Sequence, residues 1–474
     1  MKPVANLWQS IGPRFLPFAD AATEELPLLR LLRLSLFQVS VGMSMVLLTG
    51  TLNRVMIVEL GVPAWLVGLM VSLPLLFAPF RALIGHKSDT HRSVLGWRRV
   101  PYIWFGTMMQ FGGFAIMPFA LILLSGDSQG PDWIGKAGAA LAFLLVGAGI
   151  HTTQTAGLAL ANDLAPPHVR SRVVAMLYVT LLLGMAASAA VFGALLQKFS
   201  QIHLIQIIQG VAVITVVLNC CAMWKQEARN PKLTSGDEPS ASFTEAFSAL
   251  LKTGRVFRLL VALGLGTAAF AMQDILLEPF GGQIFGMGVG QTTWLNALMA
   301  IGTVCGFGVA ANYLTAGSDP CRIASLGALL GVFAFSAVVF APAINSVNLF
   351  STAAIFIGMS NGLFAVGMLT AAMGLADNGA SGLALGAWGA VQATAAGLAV
   401  ACSGIVRDFI SNFAMRGEFG LTLQTNATGY CFVYCLEILL LFVTLIALGP
   451  LVRVQGISTK ALPNAKFGLV QHPG

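Results

Sequence analysis

The chain has 474 residues, of which 57% are hydrophobic and only 9% are charged, and its mean hydropathy is +0.82. This composition excludes a water-soluble globule, which needs far more polar surface, and indicates a protein that folds in a lipid bilayer. The formal net charge of +7 fits membrane topology and contact with anionic lipid headgroups, and we expect no nucleic-acid partner.

Apolar runs long enough to cross a hydrocarbon core of about 30 Å recur along the whole chain. Six precede a polar stretch at residues 225–242 and six follow it. The predicted spans, in chain order, are 33–58, 63–84, 100–124, 137–160, 173–196, 203–224, 257–280, 291–314, 321–343, 348–373, 381–406 and 428–450. The sequence therefore predicts an all-α integral membrane protein with twelve transmembrane helices.

A duplicated signature relates the two sets of six spans. The run WLVGLM at 65–70 returns as WLNALM at 294–299, and each run is followed by Ser-Asp-x-x-Arg, at 88–92 and at 318–322. The Trp-to-Asp separation is 24 positions in the first copy and 25 in the second. Because no local property of a helix requires both runs in this order, the repeat predicts two pseudo-symmetric six-helix halves.

The predicted organisation has five parts. Lys and Arg concentrate in the connections on the side of the N-terminus, so both termini and the central linker are expected in the cytoplasm. In the linker, Ser242 and Glu245 have capping-box spacing, and the apolar residues that follow recur at helical intervals, which predicts a short amphipathic helix on the cytoplasmic face. The parts are a cytoplasmic N-terminal segment (1–32), a first half (33–224), a cytoplasmic linker (225–256), a second half (257–450) and a cytoplasmic tail (451–474).

The loops between the second and third helices of each half carry a recognisable motif. Gly85, Asp89 and Arg92 in the first copy, with Asp319 and Arg322 in the second, resemble the G-x-x-x-D-x-x-R loop of the major facilitator superfamily. The second copy departs from the motif because Thr315 stands where glycine is expected. The resemblance implies the fold of that superfamily, in which two six-helix halves surround a central cleft.

Five further segments resemble a narrower group, the PucC/LhaA family, which is the bacteriochlorophyll delivery branch of the superfamily. They are PFAD at 17–20, LTGTLNRVM at 48–56, ALIGHKSD at 82–89, GWRRVPY at 96–102 and QDILLEPFG at 273–281. The long N-terminal lead with PFAD favours the LhaA type over the PucC type.

This narrower resemblance implies a function. The expected protein is a non-enzymatic assembly factor that delivers bacteriochlorophyll, carried as cargo, to the light-harvesting 1 antenna around the reaction centre. Its implied partners are the antenna α and β polypeptides, the reaction centre complex, membrane lipid, and the pigment-synthesis and membrane-insertion machinery. Its implied location is the intracytoplasmic photosynthetic membrane, a bacterial inner membrane.

A second class of function remains open, because one fold supports many functions. The rival is a proton-coupled small-molecule transporter in which Asp274 and Glu278 titrate during alternating access. An enzyme is disfavoured, because no nucleophile-base arrangement stands out in the sequence. No metal site is expected either, since the cysteines and histidines lack ligand spacing.

Charged and amide side chains in spans one and seven predict a gate. Asp274 and Glu278 are four residues apart, hence expected on one helix face, with Gln273 beside them. The repeat aligns Glu278 with Asn53, next to Arg54. We therefore predict that Arg54 pairs with Glu278 or Asp274 and closes the periplasmic side. The alternative is a static ion pair.

Three polar residues inside other spans are candidates for pigment contact. His151 and Gln154 lie mid-span in the fourth helix, and a neutral imidazole is suited to ligate the magnesium of bacteriochlorophyll. The alternative for His151 is a hydrogen bond to a neighbouring helix. Glu437 lies in the middle of the twelfth span, where a carboxyl group is expected to be protonated, turned inward, or set against a partner helix or pigment.

Overall fold

The computed structural model describes residues 26–76, 88, 97–125, 131–166, 170–227, 254–375 and 381–452. These residues form twelve helical segments, α1 to α12. The segments are α1 (Leu28–Glu59), α2 (Ala64–Leu76), α3 (Val100–Leu124), α4 (Asp132–Leu164), α5 (Arg170–Leu195), α6 (Gln201–Met223), α7a (Gly254–Ala271) with α7b (Leu277–Phe285), α8 (Val289–Thr315), α9 (Pro320–Phe340), α10 (Val347–Leu375), α11 (Ser381–Met415) and α12 (Ala427–Leu448).

The predicted helix count is confirmed in the part of the chain that the structure describes. Eleven of the segments are long and apolar enough to cross a membrane. The remaining segment, α2, is apolar, and its predicted span continues past Leu76 into residues outside the described part. The chain is a multi-pass membrane protein.

One predicted boundary is wrong by nine residues: α11 ends at Met415, not at 406. The predicted span stopped before Arg407 and Asp408 because charged side chains normally leave a hydrocarbon environment. In the structure these two side chains form an ion pair with each other at 2.7 Å. Because their charges are satisfied inside the bundle, the helix continues through them.

The two loop motifs are described unequally. Gly85, Asp89 and Arg92 lie outside the described residues, as do the predicted linker helix and residues 453–474 of the predicted tail. In the second copy Asp319 caps α9, where its carboxylate accepts the backbone N–H of Cys321 at 3.3 Å, and Arg322 is exposed. Gly317 has φ +85°, so this glycine supplies the left-handed turn that Thr315 cannot supply two residues earlier.

One end of the first half, here called the Glu227 end, is tied together by side chains. The Glu227 carboxylate accepts the backbone N–H groups of Arg98 at 2.7 Å and of Val100 at 2.9 Å, at the start of α3. Arg99 donates to Asp163 on α4 at 3.0 Å, and Arg30 on α1 donates to the Gln226 carbonyl at 2.7 Å. These bonds hold the ends of α1, α3, α4 and α6 together.

Candidate functional site

The first helix of each half, α1 and α7, loses regular α-helical geometry where the two halves contact each other. The last part of α1 is π-helical over Val46–Leu52 and Val55–Glu59. Its counterpart changes to a 3-10 turn at Met272–Ile275 between α7a and α7b. Pro279 explains the second break, because it has no N–H to donate to the Ile275 carbonyl and its ring crowds that turn. Interruptions of both kinds often mark functional sites.

Polar side chains of the first half contact the second half at these breaks. Asn53 donates from Nδ2 to the backbone carbonyl of Asp274 at 3.2 Å. Thr51 and Thr293 on α8 lie 3.3 Å apart, hydroxyl to hydroxyl. Asn53 therefore satisfies a carbonyl group that a regular α7 would have used internally.

Asp274 and Glu278 do not lie on one continuous helix face, so that part of the prediction is wrong. The 3-10 turn and the break at Leu276 separate them and change the 3.6-residue spacing on which the argument relied. Asp274 has an exposed side chain that accepts from Gln273 Nε2 at 2.5 Å, and Glu278 is buried. The two carboxyl groups therefore have different environments.

Glu278 is bound to α8 and packs against α1. One carboxylate oxygen accepts from Asn296 Nδ2, and the other has no hydrogen-bond partner among the described residues. A Cβ atom at position 50 would collide with both the Asn296 amide and the Glu278 carboxylate. Glycine at position 50 therefore leaves the space that the Asn296–Glu278 hydrogen bond occupies against α1.

Arg54 does not form the predicted ion pair with Glu278 or Asp274 in this structure. Its guanidinium is paired with Glu59, and it also donates to the Met287 carbonyl at 3.0 Å. Glu59 is five residues away, a separation that the i to i+5 repeat of a π-helix brings together. Arg54 is still close enough to Glu278 to interact electrostatically, so the gate role stays a prediction.

A second cluster, the Arg407 cluster, joins α7b, α11 and α12. Arg407 donates to Gln283 at 2.5 Å and to the Tyr430 hydroxyl at 3.0 Å, and its guanidinium carbon lies 4.4 Å from the centre of the Tyr430 ring. Tyr430 in turn stacks on Phe280, with 5.0 Å between ring centroids. The sequence did not predict this contact of Arg407.

The Arg407 cluster also reaches the first half. Asp408, the ion-pair partner of Arg407, accepts the backbone N–H of Trp65 at the start of α2 at 2.8 Å. One carboxylate therefore joins the two halves at the end of the bundle opposite the Glu227 end.

Glu437 is turned into the protein, which was one of its predicted alternatives. The residue has 0% relative exposure, and neither carboxyl oxygen has a hydrogen-bond partner among the described residues. Tyr434, one turn earlier on α12, is equally buried, and its hydroxyl has no partner in that part of the chain either. In this conformation Glu437 does not reach a pigment on the lipid-facing surface.

His151 and Gln154 lie on the face of α4 that packs inside the first half. Pro74 of α2 packs at position 147, and Phe37 of α1 packs at position 157, ten residues further along α4. Gln154 is buried, and His151 is half-buried between these contacts. The ligand role of His151 stays a prediction.

A groove of about 830 Å³ opens between the start of α7a and the end of α12. Arg258 is the one charged residue in an otherwise apolar lining, which has no imidazole to ligate magnesium. In the part of the chain that the structure describes, no group of three or more His, Cys, Asp or Glu residues is placed to hold a metal ion.

Comparison with protein families and relatives gives consistent matches. The family model described as "PUCC protein" matches residues 51–456. Protein PucC of Rhodovulum sulfidophilum is 56% identical, over 90% of this chain and 96% of its own length. An uncharacterized protein in the puhA-bchM intergenic region of Rhodobacter capsulatus is 54% identical over 98% of both chains. The bacteriochlorophyll synthase 44.5 kDa chain of Rhodobacter capsulatus is 30% identical, over 77% of this chain and 84% of its own.

Solved structures show the fold. A bacterial homologue of the human lysosomal transporter Spinster superposes with a TM-score of 0.66 at 13% identity, covering 88% of this chain and 95% of its own. This likeness confirms the predicted facilitator fold with two six-helix halves.

Proposed function

The chain belongs to the PucC protein family, and on that premise we propose that it assembles the light-harvesting 1 antenna around the reaction centre. It acts without catalysis and carries bacteriochlorophyll as cargo to the antenna α and β polypeptides. It works in the photosynthetic inner membrane, with both termini in the cytoplasm, together with pigment-synthesis and membrane-insertion machinery. The observation that carries the proposal is the family match over residues 51–456, and the name of the bacteriochlorophyll synthase relative supports the choice of pigment.

The outer surface of α3 is the part of the first half that best suits a flat apolar pigment or an antenna helix. Trp104, Phe111 and Phe119 have relative exposures of 45%, 39% and 67%. Their spacing places all three on one face of the helix. Aromatic rings on a lipid-facing surface offer large contact areas for stacking at little cost in side-chain entropy.

A comparison of two outer helices tests this surface. We expect replacement of Trp104, Phe111 and Phe119 by alanine to reduce the bacteriochlorophyll and antenna peptides that co-purify with the protein. The matched control is α9, the corresponding helix of the second half, where Phe333 and Phe340 have relative exposures of 66% and 65%. An equal loss from alanine substitutions on α9 would contradict a specific role for α3.

The decisive test of the function is the state of the protein purified gently from photosynthetic membranes. We expect a far-red bacteriochlorophyll absorbance band and co-purifying antenna peptides. Accumulation of light-harvesting 1 complex should fall when the gene is deleted and return with the wild-type copy. A colourless monomer that moves a solute into liposomes would refute the assembly role.

The second candidate is a proton-coupled small-molecule transporter. The observation that favours it is the pair of broken helices at the meeting of the halves, with the exposed carboxyl group of Asp274 inside the break. Discontinuous helices of this kind line the binding sites of many transporters. Solute uptake that depends on a proton gradient and is lost in Asp274→Asn would support this candidate.

A further inference from the structure

Glu437 is an unusual residue because its carboxyl group lies in the protein interior and has no hydrogen-bond donor in the part of the chain that the structure describes. Both of its oxygens are buried and unpartnered among the described residues, and the Tyr434 hydroxyl on the same helix face is in the same condition. The carbonyl oxygen of the Gln273 side chain is a third buried atom without a partner in that part of the chain. An ionised carboxylate without donors is strongly disfavoured in such a place.

The helices that pack against α12 supply one charged neighbour. The turn between α7a and α7b, which holds Asp274, packs against α12, and Asp274 is the one charged group of the described residues that interacts electrostatically with Glu437. Glu278 is bound to Asn296, and on α11 Arg407 and Asp408 are bound to each other. The charged residues Arg258 on α7a and Arg322 on α9 lie near the starts of their helices, far along the chain from the Asp274 turn.

Asp274 can connect the buried carboxyl group of Glu437 with the solvent. Its side chain is exposed, whereas Glu437 has no exposed surface. Two carboxyl groups on elements that pack together oppose simultaneous ionisation in an environment of low dielectric constant. A proton released by one is therefore best accepted by the other.

We propose that Glu437 and Asp274 form a proton-binding pair, in which Glu437 holds the proton and Asp274 exchanges it with the solvent. The O–H bond of the Glu437 carboxylic acid breaks, an O–H bond forms on the Asp274 carboxylate, and the negative charge moves to Glu437. No pigment takes part, so this inference is independent of the proposed assembly role.

The pair lies where it can affect the contact between the halves. The backbone carbonyl of Asp274 accepts the Asn53 hydrogen bond from α1. Proton exchange at the Asp274 side chain therefore occurs within the turn that the first half holds.

Infrared spectroscopy of the full-length protein in nanodiscs tests the pair directly. We expect the wild type at neutral pH to show a carboxylic-acid C=O band that shifts in D₂O and is lost in Glu437→Gln. The exposed residue Glu418 lies outside the helices, and Glu418→Gln should keep the band. As the pH rises the band should disappear, and Asp274→Asn should move the midpoint of that loss.

Two results would overturn the proposal. A spectrum of Glu437→Gln that still contains the full band shows that Glu437 does not hold the proton. An unchanged midpoint in Asp274→Asn shows that Glu437 titrates alone. If a variant does not fold, labelling of the wild type with dicyclohexylcarbodiimide, which attacks protonated carboxyl groups, decides the matter by mass spectrometry. Label on Glu437 that decreases at alkaline pH supports the pair, and a protein unlabelled at Glu437 at every pH contradicts it.

Discussion

Replacement of Gly50 by alanine should destabilise the contact between the halves far more than its single added methyl group suggests. The new Cβ atom would overlap the Asn296 amide and the Glu278 carboxylate. Forcing apart tightly packed groups costs about 1–3 kcal/mol, and loss of a hydrogen bond to a charged group costs about 1.5–3 kcal/mol. The higher helix propensity of alanine returns about 1 kcal/mol. The expected net loss is about 1.5–5 kcal/mol of unfolding free energy.

The assay is unfolding by sodium dodecyl sulfate in mixed micelles, followed by circular dichroism. Gly112→Ala on α3 is the matched control, because a Cβ atom there meets nothing within 4 Å, and it should leave the midpoint unchanged or raise it slightly. Adding Asn296→Ala to Gly50→Ala should cost less than the sum of the two single changes, since it removes the atom nearest the new methyl group. Equal midpoints for Gly50→Ala and Gly112→Ala would refute the close approach of the halves at Gly50.

Three other changes have defined outcomes. Glu227→Gln should lower the unfolding free energy by about 1–2 kcal/mol through its weakened cap on α3, and the same loss in exposed Glu418→Gln would argue against a capping role. His151→Leu should reduce the bacteriochlorophyll bound per protein if the imidazole is a magnesium ligand, and an unchanged pigment-to-protein ratio would dispose of that role. Exchange of the charges at Arg54 and Glu59 should recover stability lost in either single change, and failure to recover any would contradict their ion pair.

The fold could be predicted because the spans in a bilayer are determined mainly by composition over about 20 residues. The end of α11 was the exception, since Arg407 and Asp408 look like a helix end until their mutual ion pair is known. Apolar runs indicate which segments of a chain can lie in the hydrocarbon core of the bilayer. They do not report which charged side chains find a partner inside.

The site could be predicted only in part, because its geometry depends on departures from the regular helix. Asp274 and Glu278 were assigned to one face on a 3.6-residue spacing that the break before Pro279 removes. Arg54 and Glu59 are not neighbours on an α-helix but become neighbours on a π-helix. The π-helical end of α1 has no reliable signature in a single sequence, whereas Pro279 is a sequence signal for the break in α7.

One missed residue did leave a signal. Asn296 stands in the second copy of the duplicated run where the first copy has Val67. Inside a membrane span, an amide at a position where the other copy of the repeat has an apolar residue is expected to have a polar partner. That partner is Glu278, so the difference between the two copies pointed to the site.

The Glu227 cap also has a mechanical meaning. Residues 228–253 connect Glu227 to α7a, so the chain that couples the two halves starts from a residue anchored by the first backbone N–H groups of α3. A force on that connection therefore acts first on the start of α3, and it acts on α4 through the Arg99–Asp163 hydrogen bond. Movement of the connection therefore shifts α3 and α4 together. A partner bound to the outer surface of α3 is bound to the helix on which that force acts first.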